Sequence, residues 1–361
     1  MSDKLGILTI AGRLMRGWVA VHVFGRKVPL LTAWNLTFHC NLRCHYCACP
    51  DLHVPELKTP DILEAINEFH KRGMRWVTFS GGEPLLRKDI GTIVDHCKDL
   101  GIITYLSTNG TLLPRRMESV KRLDKITISL DGPEAVHDTI RGKGSFAEAV
   151  RAIELAQEYG ITVGLTCVIS SHNVDTLEQV LDLADEMGVA CMFQPATQWL
   201  NSHTDPNPIA PHPEPYRKAV KRLIALKKTG APIANSMPGL KYLLEWPEPR
   251  TIWSTAGRLT CTVESDGKVL ASHITQTAEL ETPIDDNLTP WERFDALEIP
   301  KYNDQSWCGP ILELDMFFAM RPSALWNSLK VHGVKGKRKR KQDGRPALAV
   351  TKTETVSKSA P

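Results

Sequence analysis

Apolar positions between residues 32 and 200 follow two alternating patterns. Short runs of apolar and β-branched residues are separated by longer stretches in which apolar residues recur at helical spacing. The predicted strands are 32–38, 76–79, 103–107, 125–129, 162–168 and 190–194. The predicted helices lie near 60–73, 87–101, 113–122, 145–160 and 174–188. Six strands separated by helices indicate an α/β protein with a parallel sheet, and the spacing fits a barrel or partial barrel with its chemistry at the carboxyl ends of the strands.

The first segment, residues 1–30, contains the run LGILTIAGRLMRGWVAVHVF, which predicts an amphipathic helix. Arg13 and Arg16 are three positions apart and therefore share a face. In one interpretation this helix docks on the body of the protein. In the other it lies in a membrane interface, with these arginines, Arg26 and Lys27 near the lipid headgroups.

After about residue 200 the regular alternation of strands and helices ends. Residues 201–329 predict a linker followed by a small α+β extension. The linker is rich in Pro, Asn and His. The elements predicted after it are a helix near 214–229, a hairpin around 265–267 and a last helix near 311–328.

Composition is that of a folded protein: 42% of the 361 residues are hydrophobic and 24% are charged. No apolar run reaches 18 residues, so no membrane-spanning helix is predicted. Residues 330–361 carry ten basic and two acidic side chains, so the remainder of the chain has a net charge of −5. We expect this basic tail to be disordered, with contact to an anionic lipid surface or to RNA as the alternative. A mildly acidic body does not predict a nucleic-acid partner.

Four of the nine cysteines fall between Cys40 and Cys49, which is too local a pattern for a disulfide scaffold. The N-terminal apolar run is interrupted by Arg13 and Arg16 and does not resemble a signal peptide. We therefore expect a cytoplasmic protein, with peripheral membrane contact as an option. Clustered cysteines in a reducing compartment favour metal binding or catalysis.

Cys40, Cys44 and Cys47 form a C-x3-C-x2-C pattern directly after the first predicted strand. Three thiolates on one loop can hold three irons of a [4Fe–4S] cube and leave the fourth iron open. Structural zinc would need four ligands, usually as two pairs, and no matching pair lies nearby. Cys49 falls outside the triplet spacing, and we expect it not to bind iron.

The segment CNLRCHYC, with the aromatic Tyr46 before the third cysteine, resembles the radical S-adenosylmethionine (SAM) superfamily. The resemblance implies a partial (β/α)6 TIM-like barrel and a [4Fe–4S] cluster whose open iron chelates the amino and carboxylate groups of SAM. It also implies an external electron donor such as flavodoxin or ferredoxin. Reductive cleavage of SAM would then yield a 5′-deoxyadenosyl radical that abstracts hydrogen from a substrate or adds to it.

Several separate motifs extend this resemblance. Gly81, Gly82 and Glu83 end the second strand and match the GGE motif, which receives the amino group of SAM. Glycines allow close backbone approach, and a carboxylate suits an ammonium group. Asn109 belongs to a TNG segment after the third strand.

The later strands supply further residues that the resemblance places around SAM. Ser129 and Asp131 are expected near the ribose and the carboxylate, and Arg141 is expected to pair with the carboxylate. By position alone, Ile169 is expected at the adenine and Gln194 at the end of the sixth strand.

Residues 254–273 resemble SPASM/twitch extensions, which bind an auxiliary cluster through a recurring cysteine frame. Serine stands where cysteines would be expected, at Ser254, Ser272 and Ser306. Serine hydroxyl is a poor ligand for a soft iron–sulfur cluster.

Three interpretations of this extension remain open. The first is a twitch-like fold without an auxiliary cluster, so that the protein holds a single cluster. The second is an auxiliary cluster with unusual ligands such as Cys261, His273 and Cys308. The third is a segment that is not twitch-like.

We expect the substrate to be a lipid or isoprenoid-like small molecule, because the N-terminal helix is apolar and basic and the tail is basic, as in related radical SAM enzymes of lipid pathways. The alternative is radical modification of a ribosomally made peptide or a protein, as in many SPASM/twitch members, and the depleted cysteine frame counts against it. A noncatalytic cluster-binding protein is a third class, and the intact motifs count against it. An apolar channel continuous with residues 5–24 would favour lipid, and an exposed sheet edge would favour peptide.

Overall fold

The computed structural model describes residues 2–201, 205–248, 251–271, 287–299 and 307–319. Ten strands are present in these ranges: β1 Leu31–Thr37, β2 Trp76–Gly81, β3 Ile103–Thr108, β4 Lys125–Ser129, β5 Thr162–Ile169, β6 Ala190–Pro195, β7 Trp199–Asn201, β8 Asp205–Pro206, β9 Thr260–Val263 and β10 Val269–Leu270. The α-helices are α1 Ser2–His22, α2 Thr59–Lys71, α3 Ile90–Asp99, α4 Leu113–Val120, α5 Glu134–Arg141, α6 Ser145–Glu158, α7 Leu177–Glu186, α8 Pro213–Lys228, α9 Met237–Leu243, α10 Pro290–Ala296 and α11 Gly309–Phe318.

Eight strands form one sheet in the order β10-β9-β1-β2-β3-β4-β5-β6. The pairs from β1 to β6 are all parallel, which confirms the predicted α/β fold with a partial TIM-like barrel. The sheet does not stop at the barrel, because β9 pairs in parallel with β1, from Leu31–Thr260 to Trp34–Val263. The four residues of β9, TCTV, carry no signal of a distant partner strand, so the sequence did not predict this pairing.

The two faces of the sheet differ in chemistry. Burial alternates along β3, β4 and β6, where fully buried residues such as Leu106, Ile126 and Phe193 pack beneath the helices. The opposite face, which we call the inner face, is half-buried and largely polar. Its side chains on the paired strands include Thr78, Ser80, Ser107, Thr127, Ser129 and Thr166.

A second apolar cluster closes the amino ends of the strands. Its buried members are Leu30, Trp76, Leu259 and Phe318, and Trp18 of α1 packs against them together with Leu14 and Val21. Helix α1 is therefore docked on the body at the end of the sheet opposite to the cysteine loop.

Helix α11 begins at β6 and ends at this amino-terminal cluster. The amide of Gly309 donates to Oε1 of Gln194 on the inner face (2.9 Å), and Phe318 belongs to the amino-terminal cluster. In the middle of the helix, the carboxylate of Asp315 accepts hydrogen bonds from the amide and the hydroxyl of Thr255 (2.7 Å each). Thr255 lies five residues before the start of β9. The helix therefore spans from β6 towards β9 along the open side of the barrel.

Several elements differ from the sequence prediction. The expected linker contains the short hairpin β7–β8, and helices α5, α9 and α10 were not predicted. These helices have only seven or eight residues, too few to establish a clear helical period. The predicted hairpin around residues 265–267 is present as β9–β10. The continuation of the last helix towards residue 328 and the basic tail 330–361 lie outside the described residues.

None of the helices in the described ranges combines the length and apolar character needed to cross a membrane.

Candidate functional site

The loop that carries Cys40, Cys44 and Cys47 leaves the carboxyl end of β1 and lies against α5. Its backbone is held by two hydrogen bonds, from the amide of Cys47 to the carbonyl of Cys44 and from His45 to Ile140 of α5 (3.0 Å each). All three cysteines are free and partly accessible. The thiols lie close enough for their charges to raise one another's pKa values at Cys40 and Cys44.

Asn109, directly after β3, and Arg141, at the end of α5, direct N–H groups at these sulfurs. The guanidinium of Arg141 lies 3.9 Å from Sγ of Cys44, and the amide of Asn109 lies 4.0 Å from Sγ of Cys40. Hydrogen bonds to ligating sulfur tune the potential of an iron–sulfur cluster. The structure thus brings Asn109 and Arg141 to the cysteine loop, although they are far apart in sequence. Their predicted contact with SAM stays a prediction.

The cysteine loop fits a cluster better than a single ion. Burial raises the pKa of Cys40, and it raises that of Cys44 to about 11 against the opposing charge of Arg141. Bound metal would supply the positive charge that deprotonates such thiols. Within the described residues, no three His, Cys, Asp or Glu side chains converge as a single metal ion would require. A cube of four irons needs no such convergence, because each thiolate binds its own iron.

Cys49 lies beside the triplet without belonging to its spacing. A hydrogen bond between the two thiols lowers the pKa of Cys47 and raises that of Cys49. The Cys49 sulfur also lies 4.0 Å from the carbonyl oxygen of Gly81. The thiol of Cys49 therefore favours the thiolate form of its neighbour.

The GGE segment is packed against the start of the cysteine loop. Gly81 has φ +120°, and a Cβ there would collide with the carbonyl oxygen of Thr37. A Cβ on Gly82 would collide with the carbonyl oxygen of His39. The amides of Gly82 and Glu83 donate to these two carbonyls, at 2.7 and 2.9 Å. The sequence predicted that the glycines allow approach to a ligand, and the close approach in the structure is to β1 and its loop.

Glu83 is fully buried and joins the ends of β2 and β3. Its carboxylate accepts hydrogen bonds from the Thr108 hydroxyl (2.8 and 2.9 Å) and from the amides of Leu85 (3.0 Å) and Asn109 (2.9 Å). Burial raises the pKa of Glu83 to about 7, although these donors oppose the shift. These three donor groups hold the carboxylate at the junction of β2 and β3.

Asp131 is the centre of a buried network that connects β4, α5 and the cysteine loop. One carboxylate oxygen accepts from Arg141 (2.6 Å) and from the hydroxyl of Tyr46 (3.0 Å), and the other accepts from the amide of Val168 (2.9 Å). The Arg141 guanidinium also lies over the Tyr46 ring, 5.4 Å from its centroid. Burial opposes the charge on Arg141, but Asp131, Tyr46 and Cys44 together outweigh burial and raise the pKa of Arg141.

His137 completes this network as a neutral ring. Burial lowers its pKa to about 4, with a further contribution from Arg141. Its Nδ1 accepts from the amide of Asp131 (3.1 Å), so the ring proton lies on Nε2. The sequence predicted that Asp131 and Arg141 contact SAM, and in the structure they first bind each other and the loop.

The remaining predicted SAM contacts occupy three different positions. Ser129 lies half-buried on the inner face at the end of β4. Gln194 also lies on the inner face, where it caps α11 through Gly309. Ile169 is fully buried in the core on the helix-covered face, so it is not grouped with the other two.

A buried polar pair that the sequence did not single out lies where β9 ends beside β1. The amide of Asn35 donates to both carboxylate oxygens of Glu264, at 3.1 and 3.3 Å. Burial raises the pKa of Glu264 to about 7, and its charge contributes to the raised pKa of Cys49. No polar atom in the described part of the chain hydrogen-bonds to Oδ1 of Asn35. Only the pairing of β9 with β1 brings these residues together.

The cysteines of the C-terminal extension are separated into different environments. Cys261 is buried in the sheet, 3.8 Å from the Thr32 hydroxyl, and Cys308 immediately precedes α11. Ser254 is fully buried, and its hydroxyl accepts from the amide of Ala256 (3.0 Å). Ser272, His273 and Ser306 lie outside the described residues.

Comparison with known proteins agrees with this geometry. Residues 34–184 match the model of the Radical SAM superfamily. The chain is 30% identical over 270 residues to the mycofactocin maturase MftC of Mycolicibacterium smegmatis, covering 68% of this chain and 65% of the maturase. It is 34% identical over 170 residues to the Fe-coproporphyrin III synthase of Methanosarcina barkeri, covering 45% of this chain and 43% of the synthase.

The chain thus spans about half to two thirds of the length of these curated relatives. The crystal structure of Streptococcus suis SuiB bound to S-adenosylmethionine matches 77% of this chain and 71% of SuiB, with a TM-score of 0.57 and 16% identity. This likeness shows a shared fold. With its three-cysteine loop and GGE segment at the carboxyl ends of a parallel sheet, the part of the chain from residue 34 to residue 184 is a domain of the radical SAM superfamily.

Proposed function

We propose that this protein reductively cleaves SAM at one [4Fe–4S] cluster bound by Cys40, Cys44 and Cys47. The observation that carries the proposal is the three-thiol loop, which receives N–H groups from Arg141 and Asn109. When bound, the cluster supplies the electron that releases a 5′-deoxyadenosyl radical from SAM. An external donor such as flavodoxin or ferredoxin supplies that electron in turn.

The chain's own residues bind and orient SAM beside the cysteine loop. The GGE segment that ends at Glu83 receives the amino group of SAM. Arg141, held by Asp131, presents positive charge beside Cys44 and suits the SAM carboxylate. Ser129 and Gln194, on the inner face, are available to the ribose and to the substrate.

For the substrate, a peptide or another polar molecule agrees best with the inner face. Hydroxyl and amide side chains line this face, whereas an isoprenoid would need an apolar chamber. Helix α1, which suggested lipid, packs at the opposite end of the strands. Similarity to the mycofactocin maturase also extends over 270 residues, against 170 for the Fe-coproporphyrin III synthase.

The test is iron content and 5′-deoxyadenosine formation after anaerobic reconstitution with SAM and a reductant. Wild-type protein should bind about four irons per chain and cleave SAM slowly without substrate. Cys40→Ala, Cys44→Ala and Cys47→Ala should each remove the cluster and abolish cleavage. Cys97→Ala is the matched control, because Cys97 is buried in α3 away from the loop. Retained cluster absorbance in any of the three loop variants would contradict the assignment.

A lipid-like substrate with peripheral membrane contact is the second candidate. It is favoured by the exposed apolar side chains Met15, Val23 and Phe24 of α1 and the residues after it, with Arg26 over the Phe24 ring. Sedimentation with vesicles that contain anionic lipid tests it. Wild-type protein should sediment and Phe24→Ser should sediment less, and failure of the wild type to sediment would remove this candidate.

A further inference from the structure

Lys125 extends along the inner face from the amino end of β4. Its side chain passes over Gly164 of β5, where an added Cβ would lie 3.1 Å from Cε and 3.4 Å from Nζ of the lysine. Gly164 is two residues further along β5 than Thr162, the register partner of Lys125. The ammonium group therefore points along the inner face towards the carboxyl ends of the strands.

The ammonium group has no counter-charge among the described residues. The structure gives it no hydrogen bond and no ion pair, and the nearest aromatic contact is the Tyr105 ring, 5.7 Å from Nζ to the centroid. Burial alone lowers the pKa of Lys125. Other buried cations differ, since Arg141 pairs with Asp131 and Arg87 pairs with Glu56 and Asp89.

Lys125 is half-buried, and a charge that is withdrawn from solvent without an ion pair requires an explanation. A charged group loses hydration free energy on burial unless a partner replaces the water. Lys125 lies in a polar surrounding that remains partly accessible, with Thr127 and Thr166 half-buried on the same face. The position of the Lys125 ammonium group suits a negatively charged ligand that binds along the inner face.

Apolar side chains of β2 and β3 fill the inner face on the amino-terminal side of Lys125. Trp76, Ile103 and Tyr105 belong to the apolar cluster at the amino ends of the strands or pack against it. A bound molecule therefore has its deep end near Lys125 and its other end towards the cysteine loop. Gly164 and Thr166 are two residues apart on β5, which corresponds to about 7 Å along the strand. Thr166 pairs with Ser129, the last residue of β4.

We propose that Lys125 anchors a carboxylate of the substrate at the deep end of the inner face. This inference rests on the proposed radical SAM function and narrows its substrate class to carboxylate-bearing molecules. A free acid of a peptide and a carboxylate side arm of a small metabolite share this chemistry.

The experiment measures accessibility of Lys125 in the reconstituted holoenzyme with SAM. Lysines are reductively methylated with formaldehyde, and the labelled fraction of each is determined by mass spectrometry. One sample contains sodium propionate as the probe, and its match contains sodium chloride at equal ionic strength. Propionate should reduce labelling of Lys125 at least about threefold. Lys121, which is exposed after α4, should be labelled equally in both samples and is the internal control.

The other outcomes each decide against the proposal. Equal labelling of Lys125 in propionate and chloride would show that no carboxylate is held there. Absence of labelling in both samples would show that the ammonium is not reachable from solvent. Protection by inorganic phosphate without protection by propionate would overturn the carboxylate class.

SAM cleavage is measured on the same preparation without probe. If 5′-deoxyadenosine forms and Lys125 is not protected, only the anchor is wrong. If no 5′-deoxyadenosine forms, the proposed function fails independently of the labelling. A further variant, Gly164→Ala, should reduce protection by propionate, because its methyl group displaces the lysine side chain.

Discussion

The two ends of the same parallel sheet are built from different chemistry. At the carboxyl ends, Glu83, Asp131 and Arg141 are buried, and each is hydrogen-bonded to protein groups from another loop or strand. At the amino ends, Leu30 and Leu259 are buried in an apolar cluster that α1 covers. Polar networks specify the geometry of the cysteine loop, whereas the apolar end contributes mainly stability, as expected for barrel folds.

The largest expected effect concerns the polar end. Asp131→Asn leaves the buried Arg141 without its carboxylate and should lower the free energy of unfolding by about 3–5 kcal/mol. It should also abolish 5′-deoxyadenosine formation, since Tyr46 and Arg141 lose their common partner. Urea unfolding and the cleavage assay measure the two effects. Glu118→Gln, at an exposed pair with Lys121, is the control and should change neither.

A substitution at the apolar end should separate stability from chemistry. Leu259→Ala removes a fully buried side chain and should lower the free energy of unfolding by about 3 kcal/mol. Iron content and SAM cleavage at low temperature should remain at the wild-type level. Met15→Ala, at an exposed position of α1, should leave stability unchanged. Loss of iron in Leu259→Ala would show that the two ends are coupled.

The buried carboxyl group of Glu264 should make the stability of the protein depend on pH. Burial raises its pKa to about 7 from an ordinary value near 4.5, so the folded chain binds more protons than the unfolded chain between these values. The folded state is therefore destabilised as pH rises through this window and Glu264 loses its proton. Glu264→Gln has no carboxyl group to ionise at this position. The difference in free energy of unfolding, variant minus wild type, should therefore increase by on the order of 1–3 kcal/mol from pH 5 to pH 8.

Urea unfolding of both proteins at these two pH values checks this expectation. The difference between variant and wild type cancels the pH dependence of the other groups. A difference that does not change with pH would mean that Glu264 ionises normally in the folded protein.

The smallest expected effect is in the C-terminal extension. Cys308→Ala and Cys261→Ala should leave about four irons per chain, because one cube is expected. Elemental analysis of reconstituted protein measures this. A loss of about four irons from an initial eight would establish an auxiliary cluster and refute the single-cluster proposal.

The sequence alone determined the sheet, its six barrel strands and the cysteine loop. Hydrophobic periodicity and cysteine spacing are local properties, so Cys40, Cys44 and Cys47 could be assigned without coordinates. The GGE motif was also found, but the reason for its glycines was not, because contact with the Thr37 and His39 carbonyls depends on strand pairing. The short helix α5 was missed, since eight residues carry little periodicity.

Only the tertiary structure decided which distant residues meet. The pairing of β9 with β1 places Glu264 beside Asn35, and the absence of a side chain at Gly164 lets Lys125 lie along the inner face. Helix α1 is amphipathic in sequence, but its docking at the amino ends depends on Leu30, Trp76 and Leu259. Local patterns specify elements, whereas a site forms where non-local pairing brings side chains together and removes them from water.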